Sequence, residues 1–98
     1  MNFLVWNVRG LNDLIKQKIV VSKIRELKIY LVCLLETRVK EQNMGVIHRK
    51  HFQGWQVLHN YLNIARNGRI WLLWKGSLQV DLADIMEQYI TYRVIHGT

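Results

Sequence analysis

Two short apolar runs, separated by a segment with helical periodicity, constrain the fold of this chain most strongly. The runs are residues 2–8, NFLVWNV, and residues 29–35, IYLVCLL. Apolar runs of this length are typical of strands that are buried on both faces. Asn12-Asp13 then resembles a helix N-cap. Apolar residues follow it at helical spacing and predict one buried helix face: Ile15, Ile19, Val20, Ile24 and Leu27. The order strand, helix, strand predicts a βαβ unit with parallel strands.

The second half of the chain has short strand-like segments separated by turn signals. We predict a short helix within residues 39–52 and strands at residues 55–60, 69–74, 78–82 and 89–95. Asn67-Gly68 is a strong turn signal between two of these strands. Short strands with turns between them predict an antiparallel meander. The expected fold class is therefore α/β, a βαβ unit followed by a mostly antiparallel sheet, in one domain over residues 1–98.

The charge balance of the chain favours a polyanionic partner. The sequence has 14 Lys and Arg against 7 Asp and Glu, a formal net charge of +7. Such an excess favours nucleic acid, although a solvated cationic surface has the same composition. The single cysteine, Cys33, lies inside an apolar run, so we predict a buried free thiol without a disulfide partner. The longest apolar run is too short to span a bilayer and no signal peptide precedes it, so we expect no membrane association and an intracellular chain.

Polar residues follow the two predicted parallel strands where each one ends. Asn7 lies near the end of the first run, and Glu36 directly follows the second. The carboxyl ends of parallel strands share one sheet edge, where open α/β sheets bind ligands. A carboxylate is a ligand that Mg²⁺ prefers, and an amide can donate to a phosphate. A purely structural interpretation stays open, in which Asn7 begins the turn at Gly10 and Glu36 pairs with Arg38 or a lysine.

The segments Trp6-Asn7-Val8-Arg9-Gly10-Leu11 and Leu34-Leu35-Glu36-Thr37 resemble the opening motifs of the endonuclease/exonuclease/phosphatase superfamily. The closest likeness is to the apurinic-type endonuclease domain of plant non-long-terminal-repeat (LINE-type) retrotransposons. This resemblance implies half of a four-layer, DNase I-like α/β sandwich and Mg²⁺-dependent hydrolysis of phosphodiester bonds in DNA. It implies that Glu36 is a metal ligand and that Asn7 organises the phosphate and the catalytic network. Arg9 stands where many DNA-repair relatives have an acidic residue, and it is a weaker candidate for contact with a substrate phosphate.

The later motifs of the superfamily do not occur in residues 1–98. Those motifs are a mid-chain Asp-x-Asn, a further Asp and a C-terminal Ser-Asp-His, which hold the attacking water and supply the general base. The four histidines lack these surroundings, so we expect surface or strand histidines. We therefore interpret the chain as a truncated, retroelement-derived endonuclease-like fragment. It should bind Mg²⁺ weakly, lack catalysis on its own and be nuclear if that origin holds. The alternatives are a basic nucleic-acid-binding remnant and a small protein-interaction domain.

Truncation also predicts that the isolated chain self-associates, increasingly as salt rises, or is marginally folded. In a complete domain of this kind, the sheet packs against a second sheet that later residues build. We therefore expect the strand over Ile70–Trp74 to present an apolar face without cover. Exposed apolar strands and free sheet edges promote association, and salt screens the opposing charge repulsion.

Overall fold

The computed structural model of the chain describes residues 2–61, 67–76, 78–85 and 90–95. Its elements in chain order are β1 (Asn2–Asn7), α1 (Leu14–Glu26), β2 (Ile29–Lys40), α2 (Glu41–His51), β3 (Gln56–His59), β4 (Asn67–Trp74), β5 (Gln79–Ile85) and β6 (Ile90–Ile95). The strands β1 and β2 pair in parallel, which confirms the βαβ unit. Asp13 caps α1 by accepting the backbone N–H of Ile15 at 3.0 Å, as the sequence predicted.

The strands belong to two sheets. Four of them form a mixed sheet in the order β1-β2-β4-β3, in which β4 runs antiparallel to both neighbours. The strands β5 and β6 pair with each other in a separate antiparallel sheet. The α/β class is therefore confirmed, but the predicted continuous meander is wrong. The reason is that β4 pairs with β2, the last strand of the βαβ unit, instead of with its successor β5.

The expected turn at Asn67-Gly68 is also wrong. These two residues are the first of β4, where they pair with Lys40 and Val39. The sequence predicted that β2 ends near residue 35, but the strand continues to Lys40 and offers a partner to this part of β4. Strand pairing of this kind overrides local turn preference, since strand formation depends strongly on the neighbouring strand.

The strand β4 lies in the interior, which contradicts the expected uncovered face. All residues of Ile70–Trp74 are buried. Trp71 and Leu73 belong to the core on the helix side of the sheet. Leu72 and Trp74 belong to a second cluster on the other side, which includes Leu78 and packs against Val80 and Val94 of the β5–β6 hairpin. The hairpin thus supplies the cover that we expected from residues outside the chain.

The buried face of α1 differs from the predicted one. Its buried residues are Gln17, Val20, Val21 and Ile24, whereas Ile15 and Ile19 are 68% and 53% exposed. Gln17 can occupy a core position because its amide group is satisfied there. Its Nε2 donates to the carbonyl oxygen of Leu11 at 2.9 Å. Gln17 therefore lies on the buried face of α1, and Ile15 and Ile19 lie on its exposed face.

Candidate functional site

Asn7 and Glu36 lie at the same edge of the four-stranded sheet, as the sequence predicted. In the parallel register of β1 and β2, Asn7 is the partner of Leu35, and Glu36 is the next residue of β2. The two motifs, 29 residues apart in the chain, are thus adjacent at the carboxyl end of the parallel pair. This is the position where open α/β sheets bind ligands.

Backbone hydrogen bonds hold the loop after β1 against β2. Three consecutive loop residues each donate to a carbonyl oxygen of β2: Gly10 to Glu36 at 2.7 Å, Leu11 to Thr37 at 2.8 Å and Asn12, through its side-chain amide, to Arg38 at 2.9 Å. The N–H of Val8 donates to the carbonyl oxygen of Leu35 just before them. The loop therefore continues the parallel pairing beyond the end of β1 and has little freedom to move.

A bulge in β2 shapes this edge. Four residue steps from Leu35 to Val39 face only two steps of β4, from Ile70 to Gly68. Within the bulge, Glu36 and Arg38 have φ angles of 55° and 56°. The left-handed conformation costs a non-glycine residue about 1–2 kcal/mol. Bulges and strained backbones of this kind are concentrated next to functional sites.

Arg9, on the facing loop, has the same strained conformation, with a φ of 51°. Its side chain is exposed. Three non-glycine residues in the left-handed region, Arg9, Glu36 and Arg38, thus lie at the edge that carries both motifs. The sequence offered no sign of the strain at Glu36 and Arg38, since glycine or asparagine is the usual signal for this conformation.

The side chains of the motif residues have structural partners. Asn7 accepts the backbone N–H of Arg9 through Oδ1 at 3.2 Å, so it does begin the turn. Glu36 pairs with Arg38, with 3.4 Å between Oε2 and Nη2. Both side chains of that pair are half-exposed or more, and exposed pairs contribute little to stability. The contacts that the purely structural interpretation predicted for Asn7 and Glu36 are therefore both formed. With respect to the described residues, they leave the NH₂ group of Asn7 and one carboxylate oxygen of Glu36 to engage a ligand.

Thr37, the last residue of the second motif, is fully buried. It contributes to a polar network around Tyr61, whose Oη donates to the carbonyl oxygen of Val39 at 2.7 Å. The indole Nε1–H of Trp71 donates to the same Oη at 3.1 Å. Burial raises the pKa of Tyr61 to about 12, although hydrogen bonds from Trp71 and Thr37 oppose the rise. Thr37 and Tyr61 thus hold the bulge of β2 in place through buried hydrogen bonds. The sequence analysis did not predict this role for Tyr61.

The donor set at this edge fits a hard cation, but it is small. The carboxylate of Glu36 offers oxygen atoms, which Mg²⁺ prefers, whereas the Oδ1 of Asn7 already accepts from the N–H of Arg9. Among the residues that the structure describes, no group of three or more His, Cys, Asp or Glu side chains is arranged to hold a metal ion. A cation on Glu36 would therefore depend on water and on phosphate oxygens for most of its coordination.

The structure also bears on the predicted cysteine thiol and on the question of a membrane-spanning helix. Cys33 is a free thiol, partly rather than fully buried, and burial raises its pKa. Neither helix of the described part of the chain has the length and hydropathy to cross a membrane.

Comparison with known proteins does not assign the chain to a family. No protein-family model matches the sequence, and no curated protein matches it. A functional assignment therefore depends on the residues and geometry of the chain itself.

Proposed function

We propose that this chain is the N-terminal part of a DNase I-like endonuclease domain that derives from a retroelement. In this proposal the edge with Asn7 and Glu36 engages a DNA phosphate together with Mg²⁺. One observation carries the proposal: the two separate motifs meet at one sheet edge, and hydrogen bonds from Gly10, Leu11 and Asn12 to β2 fix them there. A shared site requires this convergence, and the hydrogen bonds between the loop and β2 keep the two motifs together.

Each residue of the edge has a distinct role in the proposal. The carboxylate of Glu36 would hold Mg²⁺, which would supply positive charge to a phosphate oxygen. The NH₂ group of Asn7 donates to the same phosphate, because its Oδ1 is already engaged by Arg9 N–H. Arg38 pairs with Glu36 in the structure, and its guanidinium would be free to contact the phosphate if Glu36 held the cation. Arg9, exposed beside them, offers a second guanidinium.

The proposal separates DNA engagement from cleavage. Hydrolysis needs a general base positioned on the attacking water. The sequence contains no Asp-x-Asn or Ser-Asp-His segment of the kind that supplies it in the superfamily. We therefore propose that residues 1–98 bind Mg²⁺ weakly and do not nick DNA by themselves. The chemistry of the whole family, nicking of DNA to prime reverse transcription, implies nuclear localisation as part of the same proposal.

A non-catalytic nucleic-acid-binding role is the second candidate. The net charge of +7 and the two arginines at the edge, Arg9 and Arg38, favour it. It requires no metal, and its affinity would fall steeply with salt because phosphate contacts release counterions. The third candidate, a protein-interaction domain, needs an exposed strand that can pair with a partner.

Self-association, which we expected at β4, is proposed at β1 instead. The strand β1 is an outer strand of the four-stranded sheet, so one of its sides has no neighbouring strand within the described residues. Its residues Phe3 and Val5 are 51% and 65% exposed, on the sheet face opposite Leu4 and Trp6. An exposed apolar edge strand is a surface on which a second copy can pair.

The test for the candidate site uses amide NMR spectra of the ¹⁵N-labelled chain during titration with Mg²⁺, with and without a short DNA duplex. We expect shifts confined to residues 7–10 and 36–38, at millimolar Mg²⁺ only. The substitution Glu36→Gln should abolish them. Glu26→Gln is the matched control, since Glu26 is also exposed and also pairs with a cation, Lys23 at 3.6 Å.

Two results would contradict this proposal. Identical shifts in Glu36→Gln and the unsubstituted chain would remove Glu36 from the site. Nicking of supercoiled plasmid by the unsubstituted chain, lost in Glu36→Gln and kept in Glu26→Gln, would show that residues 1–98 suffice for catalysis.

A further inference from the structure

A concave site lies at the end of the sheet opposite Asn7 and Glu36, where β2 begins and β4 ends. The backbone N–H of Lys75 donates to the carbonyl oxygen of Tyr30 at 3.1 Å, which joins the two strand ends. Beside this bond is a cavity of about 280 Å³ that reaches to the last turns of α1 and α2. Tyr30 precedes Glu36 by six residues of β2, so the two sites are about 20 Å apart.

The cavity is positively charged without a compensating carboxylate. The cations that line it are Arg25, Lys28 and Lys75, with the His51 ring beside them, and among the described residues no Asp or Glu lines it. Within the described residues, the ion pairs with carboxylates involve only Lys23 and Arg38, at other places on the surface. A concave site with one sign of charge concentrates counter-ions. Its chemistry therefore favours an anion with several acceptor oxygens.

Two aromatic rings form a wall of the same cavity. The Lys75 ammonium lies 5.1 Å from the centre of the Tyr30 ring and 5.3 Å from the centre of the Trp55 ring. The edge-to-face contact with Phe52, at 6.0 Å between ring centres, fixes the Trp55 indole. Phe52 is buried, whereas Tyr30 is 42% exposed and Trp55 is partly exposed. The Lys75 ammonium lies over one face of each ring, and the exposed part of the Tyr30 ring can contact a planar group beside the cations.

His51 has a defined hydrogen-bonding state at the rim of the cavity. The Nε2 of Gln17 donates to the carbonyl oxygen of Leu11, so the Oε1 of Gln17 is the acceptor that faces His51. His51 must therefore donate from Nε2, over 3.0 Å. Its Nδ1 is left to engage a ligand, as an acceptor when the ring is neutral and as a donor when it is protonated.

We propose that this cavity binds a nucleotide unit, with the phosphate held by Arg25, Lys28 and Lys75 and the base stacked on Tyr30 or Trp55. The cavity volume is near the lower limit of small-ligand sites, about 300 Å³, and suits one such unit. Bases stack on aromatic side chains regardless of their identity, and lysine and arginine bind phosphate. The unit is either a free nucleotide or the phosphorylated end of a single strand. None of these residues belongs to the edge with Asn7 and Glu36, so the two proposals stand or fail separately.

Calorimetry and amide NMR with four probes test the proposed ligand class. The probes are adenosine 5′-monophosphate, adenosine, inorganic phosphate and a 5′-phosphorylated tetranucleotide. We expect adenosine 5′-monophosphate to bind about tenfold more tightly than either adenosine or inorganic phosphate, since it alone uses both the cations and the rings. Binding should also raise the pKa of His51, because the phosphate offsets the positive charge of Lys18, Arg25 and Lys50 around that ring.

Substitutions test the cations and the aromatic rings of the cavity separately. Lys28→Gln and Lys75→Met should each weaken binding of adenosine 5′-monophosphate about tenfold, the effect of losing one charged hydrogen bond. Tyr30→Leu should weaken binding of the nucleotide and leave that of inorganic phosphate unchanged. Lys40→Gln is the matched control, because Lys40 is exposed at the far end of β2. Lys28 is exposed as well, so its substitution keeps the test valid if Lys75→Met disturbs folding.

Each outcome decides the proposal. Tighter binding of the tetranucleotide with the same response to substitution assigns the site to a strand end, and tighter binding of the mononucleotide assigns it to a free nucleotide. Equal affinity for inorganic phosphate and the nucleotide would overturn the ligand class. An absence of millimolar binding, or equal losses in Lys28→Gln and Lys40→Gln, would overturn the site.

Discussion

The backbone N–H of Gly10 donates to the carbonyl oxygen of Glu36 at 2.7 Å. This hydrogen bond joins the first motif to the second and fixes the position of the bulge in β2. Gly10 can make it because its φ angle is 101°, a conformation that residues with a Cβ atom rarely adopt. The arrangement of the candidate site therefore depends on one glycine that contributes no side chain to it.

The substitution Gly10→Ala should destabilise the fold and disturb the candidate edge. We expect a loss of about 1–2 kcal/mol in the free energy of unfolding, from strain at a positive φ angle. The space itself is not limiting, since an added Cβ would lie 3.9 Å from Cδ of Arg38. Urea denaturation measures the loss, and amide spectra should show shifts at residues 36–38.

The control for this substitution is Gly45→Ala, in the interior of α2. There the added Cβ meets only the flexible end of Arg49 at 3.4 Å. Alanine is the better helix former, so we expect a gain of about 0.5–1 kcal/mol. Equal effects of the two substitutions would show that the left-handed conformation of Gly10 does not control the loop.

The network around Tyr61 should be important for stability. Tyr61→Phe removes the donor to the carbonyl oxygen of Val39 and the acceptor of the buried Trp71 indole. A buried polar group left without a partner costs about 1–3 kcal/mol, so we expect a loss of this size in thermal or urea unfolding. Tyr30→Phe, at a ring that is 42% exposed, should change stability by less than about 0.5 kcal/mol. A loss of the same size in both variants would argue against the network.

The exposed outer strand β1 should be the surface through which two copies of the chain associate. Val5→Lys places a charge on the exposed edge strand and should lower the association constant measured by sedimentation across a salt series. Val46→Lys adds the same charge at a valine of similar exposure, 52% against 65%, on α2. It should reduce association only through the general charge repulsion, which salt screens. If the chain is monomeric at every salt concentration, or if both variants respond equally, β1 is not the contact surface.

Stability should fall on acidification through the range in which histidine titrates. Burial lowers the pKa of His51, with further lowering by Lys50, Lys18 and Arg25, and burial also lowers the pKa of His59. The unfolded chain then binds protons more readily than the native state below about pH 6.5. The free energy of unfolding should therefore be highest above this pH and decrease as the pH falls toward the lowered native pKa values.

Two measurements check the pH dependence. Urea denaturation over a pH series gives the slope, and His51→Gln should reduce it while keeping a donor for the Oε1 of Gln17. NMR titration of the ring protons gives the native midpoints directly. Midpoints at or above those of the same histidines in the urea-unfolded chain would contradict the prediction.

Local patterns in the sequence determined much of the fold. The apolar runs located β1 and the first part of β2, Asp13 marked the start of α1, and the strand–helix–strand order predicted the parallel pairing. From these elements alone, Asn7 and Glu36 could be expected at one edge. Each of these signals concerns neighbouring residues or a connection whose geometry is restricted, so the sequence is sufficient to give them.

The tertiary structure decided the features that depend on partners distant in the chain. Pairing with β4 extends β2 to Lys40 and creates the bulge, and with it the strained conformations of Glu36 and Arg38. With Gln17 buried, α1 presents a different face to the core from the one its apolar spacing predicted. The β5–β6 hairpin covers the second face of β4. The cationic cavity at Lys75 likewise forms only where strand ends and helix ends meet. Which face is buried and which cations converge depend on packing between segments, and periodicity within one segment does not contain that information.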